Sequence, residues 1–454
     1  MRKTDSTLDP ESLQDTLIRL GATPGRHQCV VAYSGGVDSH VLLHLLSRTE
    51  FNVSAVHVNH AISANANAWQ AHCQQVCETL GIALVVEKIS LAGSPGNTEA
   101  RARHARYKAL ADHISADKKL LLTAHHQDDQ AETVLLRLMR GSGVHGWAAM
   151  RATRPFARGQ LIRPLLDISR RQILDYARAE DLSWIEDETN RLSGFDRNYL
   201  RHQVVPMLEA RWPGVGRRLA QVAGDARDTG ELLDQSISGH LALCQTADGE
   251  LSVSALSRLA PGEQALTVRL WLRRRGYPMP SRHKLTEIIS LLHQSTPHSV
   301  RWGEAEVWCY RDILAVRRSA PVIPGNWQLA WPDSTPELEL PDLAIRLRLH
   351  ETAAAGISSR LLVGATIELR QRRGGERVQL PGRQLHHQLK KVLQDAAVPP
   401  WLKNRLPLIF IDGQLAAVPG VAVFEPFCCR QGEPGKVFEI TETNKNGDWV
   451  NLVV

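Results

Sequence analysis

Between Cys29 and Leu138 the chain alternates short, continuous apolar runs with longer stretches whose apolar residues recur at helical spacing. The runs are Cys29-Val30-Val31-Ala32-Tyr33, Val53 to Val58, Ile82 to Val86 and Lys119 to Thr123. Between them, His40 to Leu46 reads as a helix, and Trp69, Cys73, Val76 and Leu80 share one helical face. The spacing predicts a further helix over 98–115 that buries Tyr107, Leu110, Ala111 and Ile114, and another over 131–138. Strands that are apolar throughout, each followed by an amphipathic helix, predict an α/β unit with a parallel sheet covered on both faces. Ligands in such sheets bind beyond the carboxyl ends of the strands. Ser34 to Ser39, His57 to His60 and His125 to Glu132 fall at those ends.

From Trp212 the period becomes helical through Val215, Leu219 and Val222, and again over Glu263 to Leu292, while Val300 to Val316 reads as a hairpin. Pro321, Pro324, Pro332, Pro336 and Pro341 then punctuate the chain as a linker would. Strand-like Ala365 to Leu369 and Leu408 to Ile411 flank a basic segment near the end. The predicted organisation is a Rossmann-like nucleotide-binding domain over 1–212, a mostly helical middle domain over 213–320, a linker over 321–345 and a small α+β domain over 346–454. A length of 454 residues accommodates about three such domains.

Composition adds exclusions. Hydrophobic residues make up 43% and charged residues 22%, without an apolar run long enough for a membrane span and without a secretory signal pattern. The seven cysteines are odd in number and scattered, which fits free thiols in a cytoplasmic protein rather than a disulfide framework. Net charge is only +6, but Arg370 to Arg405 holds nine Arg or Lys against Glu376 and Asp395, a local balance of +7. Such a segment, with Arg373, Arg377, Arg383, Lys390 and Lys391 within it, suits a nucleic-acid partner, because clustered cations displace the counterions condensed on phosphates.

The candidate chemistry lies at the strand ends. Ser34-Gly35-Gly36-Val37-Asp38-Ser39 joins the first strand to a helix: its glycines permit a tight turn, and backbone N–H groups and the helix N-terminus face the same anion. The Ser34 and Ser39 hydroxyls are further donors. The Gly-Lys-Ser/Thr ending of a Walker loop is absent, which points to a different nucleotide chemistry. In His125-His126-Gln127-Asp128-Asp129-Gln130-Ala131-Glu132, Asp129 and Glu132 share a helical face. One of these acids is explained as a helix cap. Three beside two histidines suit Mg²⁺ held against ATP phosphates, or receipt of an ammonium group. Asp38 and Asp129 are the candidate magnesium contacts; the set lacks the closed ligands of a zinc site.

These motifs are specific in combination. The hexapeptide resembles the pyrophosphatase (PP) loop of ATP-dependent adenylating enzymes. With His57-Val58-Asn59-His60, the run Glu99 to Tyr107, His125 to Thr133, Leu135 to Gly143, Trp184 to Asp187 with Asn190, and Arg197 to Arg201, the chain resembles the tRNA(Ile)-lysidine synthase family. Arg373 to Arg377, Leu380 to Arg383 and Leu389 to Trp401 resemble that family's C-terminal domain. The resemblance implies adenylation of the wobble cytidine at C2 in a CAU-anticodon isoleucine tRNA. The ε-amine of free L-lysine then displaces AMP to give lysidine, which changes codon reading from AUG to AUA and tRNA identity from methionine to isoleucine. It implies that Ser34 to Ser39 hold ATP, that Asp38 binds Mg²⁺, and that Asp129 and Glu132 receive or deprotonate the lysine. Arg101 and Arg106 would neutralise developing charge, with Arg101 counted among the catalytic candidates, and Arg197 and Arg201 would join the basic tail on the tRNA. The position after His60 departs from the family pattern, so Ser63 has no assigned role.

Two other classes compete: another PP-loop enzyme transferring sulfur or ammonia to tRNA, and a non-catalytic RNA-binding protein with a degenerate loop. Sulfur carriers need a positioned thiolate. Only Cys29, inside the first strand, falls near the expected site. A homodimer is left open. Asp38→Asn and Asp129→Asn are both expected to spare the fold and reduce turnover.

Overall fold

The computed structural model describes residues 8–59, 65–89, 98–186, 196–294, 296–319, 327–332, 335–343, 345–353, 355–403 and 405–442. His60 to Ser63, Asp187, Asn190, Pro321 and Pro324 lie outside the described residues. The chain divides into two compact units, Met1–Leu233 and Asp234–Val454.

The first unit runs α1 (Pro10–Arg19), β1 (Gln28–Ala32), α2 (Val37–Leu46), β2 (Asn52–Asn59), α3 (Ala66–Thr79), β3 (Ala83–Lys88), α4 (Thr98–Asp112), β4 (Lys119–Leu122) and α5 (Gln127–Met139). It continues through α6 (Val144–Trp147), β5 (Thr153–Phe156), β6 (Gly159–Ile162), α7 (Arg170–Ala179), α8 (Asp196–Tyr199), a π-helical turn (Leu200–Val204) and α9 (Val205–Arg211). The sheet order is β3-β2-β1-β4-β6-β5, parallel except for β5, which pairs antiparallel with β6. Side chains alternate across it as a pleat requires. Cys29 and Val31 of β1 join one core with α1, α2, α3 and α7, whereas Val30 faces a second core with Leu110 and Ile114. This two-sided burial is why the strands read as continuous apolar runs.

The β5–β6 hairpin is not visible in the hydrophobic pattern. Each strand has four residues, and β5 carries Pro155, tolerated because β5 is an edge. β1 lies between β2 and β4, so the loops leaving β1 and β4 border one crevice at the carboxyl edge.

The boundary between the units falls within the 30-residue helix α10 (Val215–Cys244). In the second unit, helices Pro261–Arg274 and Arg282–Ser290 share a core around the fully buried Trp271 with a four-stranded antiparallel sheet. The expected hairpin over 300–316 is a three-stranded meander, His298–Trp302, Ala305–Tyr310 and Ile313–Arg318. The C-terminal part holds a five-stranded and a four-stranded antiparallel sheet with short helices. The described parts of the proline-spaced segment are built into these sheets: Gln328–Ala330 pairs with Ile367–Arg370, and Glu337–Leu340 with the strand starting at Ile345. Trp331, Leu340 and Leu343 are core residues, so the prolines bracket strands rather than loosen the chain.

Candidate active site

The Ser34–Ser39 loop turns at Gly35 and is packed from behind. Gly35 has φ +83°, and its carbonyl accepts from the Ile185 N–H at 3.0 Å. A Cβ on Gly35 would stand 2.5 Å from Ile185 Cδ1 and 2.9 Å from Cys73 Sγ. Gly36 caps α2 in extended conformation, leaving the first-turn N–H groups facing the crevice. Ser39, expected to offer its hydroxyl to phosphate, is buried and gives it to the Gly36 carbonyl at 3.0 Å while accepting from the Ser34 N–H at 3.2 Å. The two serine hydroxyls are 3.0 Å apart, so they brace the loop as well as line it.

Cys73 was not expected here; helix packing of α3 brings its thiol behind the loop. Burial pushes that thiol up to about 12, so it is an inert packing group and supplies no thiolate for sulfur transfer. Cys73 carried no sequence signal beyond apolar periodicity, and Ile185 stood within the Trp184 to Asp187 motif without a role of its own. Gly35→Ala is expected to destabilise the protein by roughly 1–3 kcal/mol and to weaken ATP binding at least tenfold, read by thermal melting and titration calorimetry. Parental ATP affinity would remove the loop from the nucleotide site.

His126 is the centre of the second constellation. It is 1% exposed. Its ring stands 3.5 Å from Asp129 Oδ2, 3.7 Å from Asp38 Oδ2 and 3.7 Å from Asp128 Oδ2. Burial opposes its protonation, but Asp128, Asp129 and Asp38 outweigh that and hold its pKa above the ordinary value. The sequence placed His126 in the motif without a role; its place as the N-cap of α5, two residues before the Asp128-Asp129 pair, was the available signal. His125 behaves oppositely: burial pushes it down to about 3, keeping it neutral, with Nδ1 2.9 Å from Thr123 Oγ1.

The acids have separate tasks. Asp128 Oδ2 accepts the Arg170 N–H at the start of α7 at 2.8 Å. Asp129 Oδ2 accepts the His126 N–H at 3.0 Å, capping its own helix. Asp129 Oδ1 takes Arg197 Nη2 at 3.0 Å and Arg201 Nη2 at 2.8 Å. Glu132, 2% exposed, takes Arg197 Nε at 2.8 Å and Arg201 Nε at 2.6 Å. Two adjacent buried carboxylates cannot both ionise unaided, and the two guanidiniums make the cluster neutral. For Asp129, burial favours the neutral acid, yet His126, Arg197 and Arg201 together hold its carboxyl below the usual range.

Arg197 and Arg201, expected on the tRNA, are thus turned onto the two acids expected to receive lysine. The arrangement was not legible because α5 and the Arg197–Arg201 turn are more than sixty residues apart. Arg101 lies partly exposed on α4.

Asp38 differs from its neighbours. Its Oδ1 is buried without a hydrogen bond, and burial, reinforced by Asp129, raises its pKa against the pull of His126 and Arg170. An orphaned acceptor oxygen suits a hard cation such as Mg²⁺. Asp129 has both oxygens engaged, and among the described residues no group of three or more His, Cys, Asp or Glu is arranged to hold a metal.

In the second unit, Arg373, Arg377, Arg383, Lys390 and Lys391 are exposed. Other cations of the +7 segment are spent internally: Arg370 on Glu368, and Arg372 near Glu376 at 3.6 Å.

Comparison with known proteins accords with both units. Residues 10–208 match the PP-loop domain, 251–314 the TilS substrate binding domain and 367–440 the TilS substrate C-terminal domain. The chain is 39% identical over 415 residues to the tRNA(Ile)-lysidine synthase of Methylococcus capsulatus, covering 88% of this chain and 93% of that protein. It is 36% identical over 445 residues to that of Coxiella burnetii, covering 95% and 96%. Among solved structures, a U34-tRNA thiolase from Methanococcus maripaludis superposes with a TM-score of 0.40 at 21% identity, over 48% of this chain and 77% of that one. Among the described residues no helix is long and apolar enough to cross a membrane.

Proposed function

Because this chain belongs to the tRNA(Ile)-lysidine synthase family, we propose that the crevice between the β1 and β4 loops is where lysidine is formed. The protein is an ATP-using tRNA-modifying ligase. The observation that carries the site assignment is the convergence of Asp38, from the Ser34–Ser39 loop, and Asp129 on His126, with Glu132 tied to Asp129 through Arg197 and Arg201. The tRNA is an isoleucine tRNA with a CAU anticodon, the second substrate is free L-lysine, and the reaction takes place in the cytoplasm.

The wobble cytidine O2 attacks the α-phosphorus of ATP, the bond to the β-phosphate oxygen breaks, and diphosphate leaves. Loop N–H groups and the α2 N-terminus hold the departing charge. Magnesium, when bound, neutralises phosphate charge, and Asp38 is the residue that would hold it. The lysine ε-ammonium then enters against Asp129 and Glu132. Asp129, kept ionised by His126, Arg197 and Arg201, anchors the ammonium. Glu132 takes a proton, freeing the amine to attack C2. The C2–O bond breaks, AMP leaves, and the nitrogen gives its second proton to solvent water. For the ammonium to reach the pair, at least one guanidinium contact is exchanged.

Incubating unmodified CAU-anticodon isoleucine tRNA with ATP, Mg²⁺ and lysine is expected to add the mass of lysine less water to the wobble nucleotide, and only when lysine is present. No such gain would sink the reading. The exposed lysines of the second unit serve grip. Lys390→Ala with Lys391→Ala is expected to raise the tRNA KM several-fold and flatten the salt dependence of tRNA binding, at unchanged ATP affinity. A parental salt slope would leave them as solvated surface charge.

A further inference from the structure

Arg163, directly after β6, is 5% exposed. Its Nη1 donates to the Arg151 carbonyl at 2.7 Å, and its Nε is buried without a hydrogen-bond partner. Among the described residues no carboxylate pairs with it. Tyr107 offsets part of the burial by a side-chain hydrogen bond, but a buried guanidinium without a carboxylate still costs several kcal/mol, and an apolar side chain would fill the space at less cost. An anion from outside the chain would complete both the charge and the unmet Nε hydrogen bond.

The surroundings indicate which anion. Arg103 stands over the Tyr107 ring at 5.1 Å and Arg154 over the same ring at 5.5 Å. Phe156 meets Tyr107 edge to face at 5.8 Å. Arg103 and Arg154 are exposed and, among the described residues, pair with no acid. Arg154 pairs with Leu161 in the β5–β6 hairpin and Arg163 follows Leu161 by two residues, which puts both arginines on the sheet face that carries Phe156 and Tyr107; burial holds the Arg163 pKa down against Tyr107, and Arg154 and Arg103 add to that effect.

We propose that Arg163, with Arg103 and Arg154 around Tyr107, is a phosphate-binding site for the tRNA backbone beside the target cytidine. This inference rests on the lysidine-forming reading. The phosphates of ATP are already provided for by the loop after β1, two strands away from β6, a separation of roughly 10 Å at the usual strand spacing. A cation chain that begins buried beside the chemistry and continues to the surface fits a polyanion, and aromatic rings among the cations suit a strand with bases to pack.

The test is fluorescence anisotropy of a labelled CAU anticodon stem-loop RNA bound to the full chain, parent and the variants Arg163→Gln and Arg154→Ala, at several salt concentrations. Calorimetric ATP titration is run alongside. Each variant is expected to bind the RNA about tenfold more weakly, with the log–log salt slope reduced by roughly 0.7–0.9 per lost contact, and ATP affinity within twofold of the parent. RNA affinity and slope equal to the parent's would overturn the proposal, as would a loss of ATP affinity in place of RNA affinity. If Arg163→Gln does not fold, Arg154→Ala with parental melting decides alone. Failure of the parent to form lysidine would instead strike the functional reading.

Discussion

Asp38→Asn is expected to give a protein at least as stable as the parent that forms lysidine about a hundredfold or more slowly. The two effects part because the Asp38 charge is a burden to the fold. Burial and the neighbouring Asp129 raise its pKa, and one oxygen accepts no hydrogen bond. A carboxyl whose folded pKa lies above its unfolded value makes the folded state less stable once pH exceeds both, because the ionised form is the disfavoured one. Asparagine has nearly the same volume and no charge, so the melting temperature near pH 7 should hold or rise. Activity should fall because the lost oxyanion is the one best placed to hold a cation against the phosphates, and losses of about 10²–10³ are typical when such an electrostatic partner is removed. Melting curves and lysidine yield at saturating ATP check both halves. A melting temperature lowered by several degrees would make Asp38 a structural residue instead.

Asp129 contrasts with this, although nothing in the residue order separates the two. Read along the chain, both are acids in polar motifs whose amides should spare the fold. In the structure Asp129 accepts its own helix cap and two guanidinium contacts, so its amide variant loses stability together with activity. Local features were legible: the Gly-Gly turn, because φ +83° at Gly35 needs glycine, and the strands of a two-faced sheet, because burial on both sides leaves continuous apolar runs. Features that depend on distant partners were not. Cys73 against Gly35, Ile185 clamping the Gly35 carbonyl and Arg197 on Glu132 each join segments whose relative placement is fixed only by tertiary packing. The same holds for 328–340, where proline spacing alone does not distinguish a linker from short edge strands whose apolar residues enter a core.

The acid–arginine cluster yields the second large effect. Glu132→Gln leaves Arg197 and Arg201 facing Asp129 alone in a site where Glu132 is 2% exposed, and Arg201→Gln leaves two buried carboxylates with one guanidinium. Breaking a buried pair from one side typically costs about 3–5 kcal/mol, most of it the penalty on the abandoned charge. Each single variant is therefore expected to melt well below the parent. The double variant, Glu132→Gln with Arg201→Gln, restores neutrality and should cost less than the sum of the singles, giving a coupling of roughly 1–3 kcal/mol in a double-mutant cycle. Activity should not follow that recovery. If Glu132 takes the ε-ammonium proton, both variants lacking it should remain about a hundredfold or more below the parent in the lysine-dependent step, while tRNA-dependent release of diphosphate from ATP continues. Arg201→Gln, which keeps Glu132, should retain more of the lysine step once assayed below its melting temperature. Additive stabilities would mean that the two side chains do not interact, and lysidine formation rescued in the double variant would give Glu132 a purely structural role.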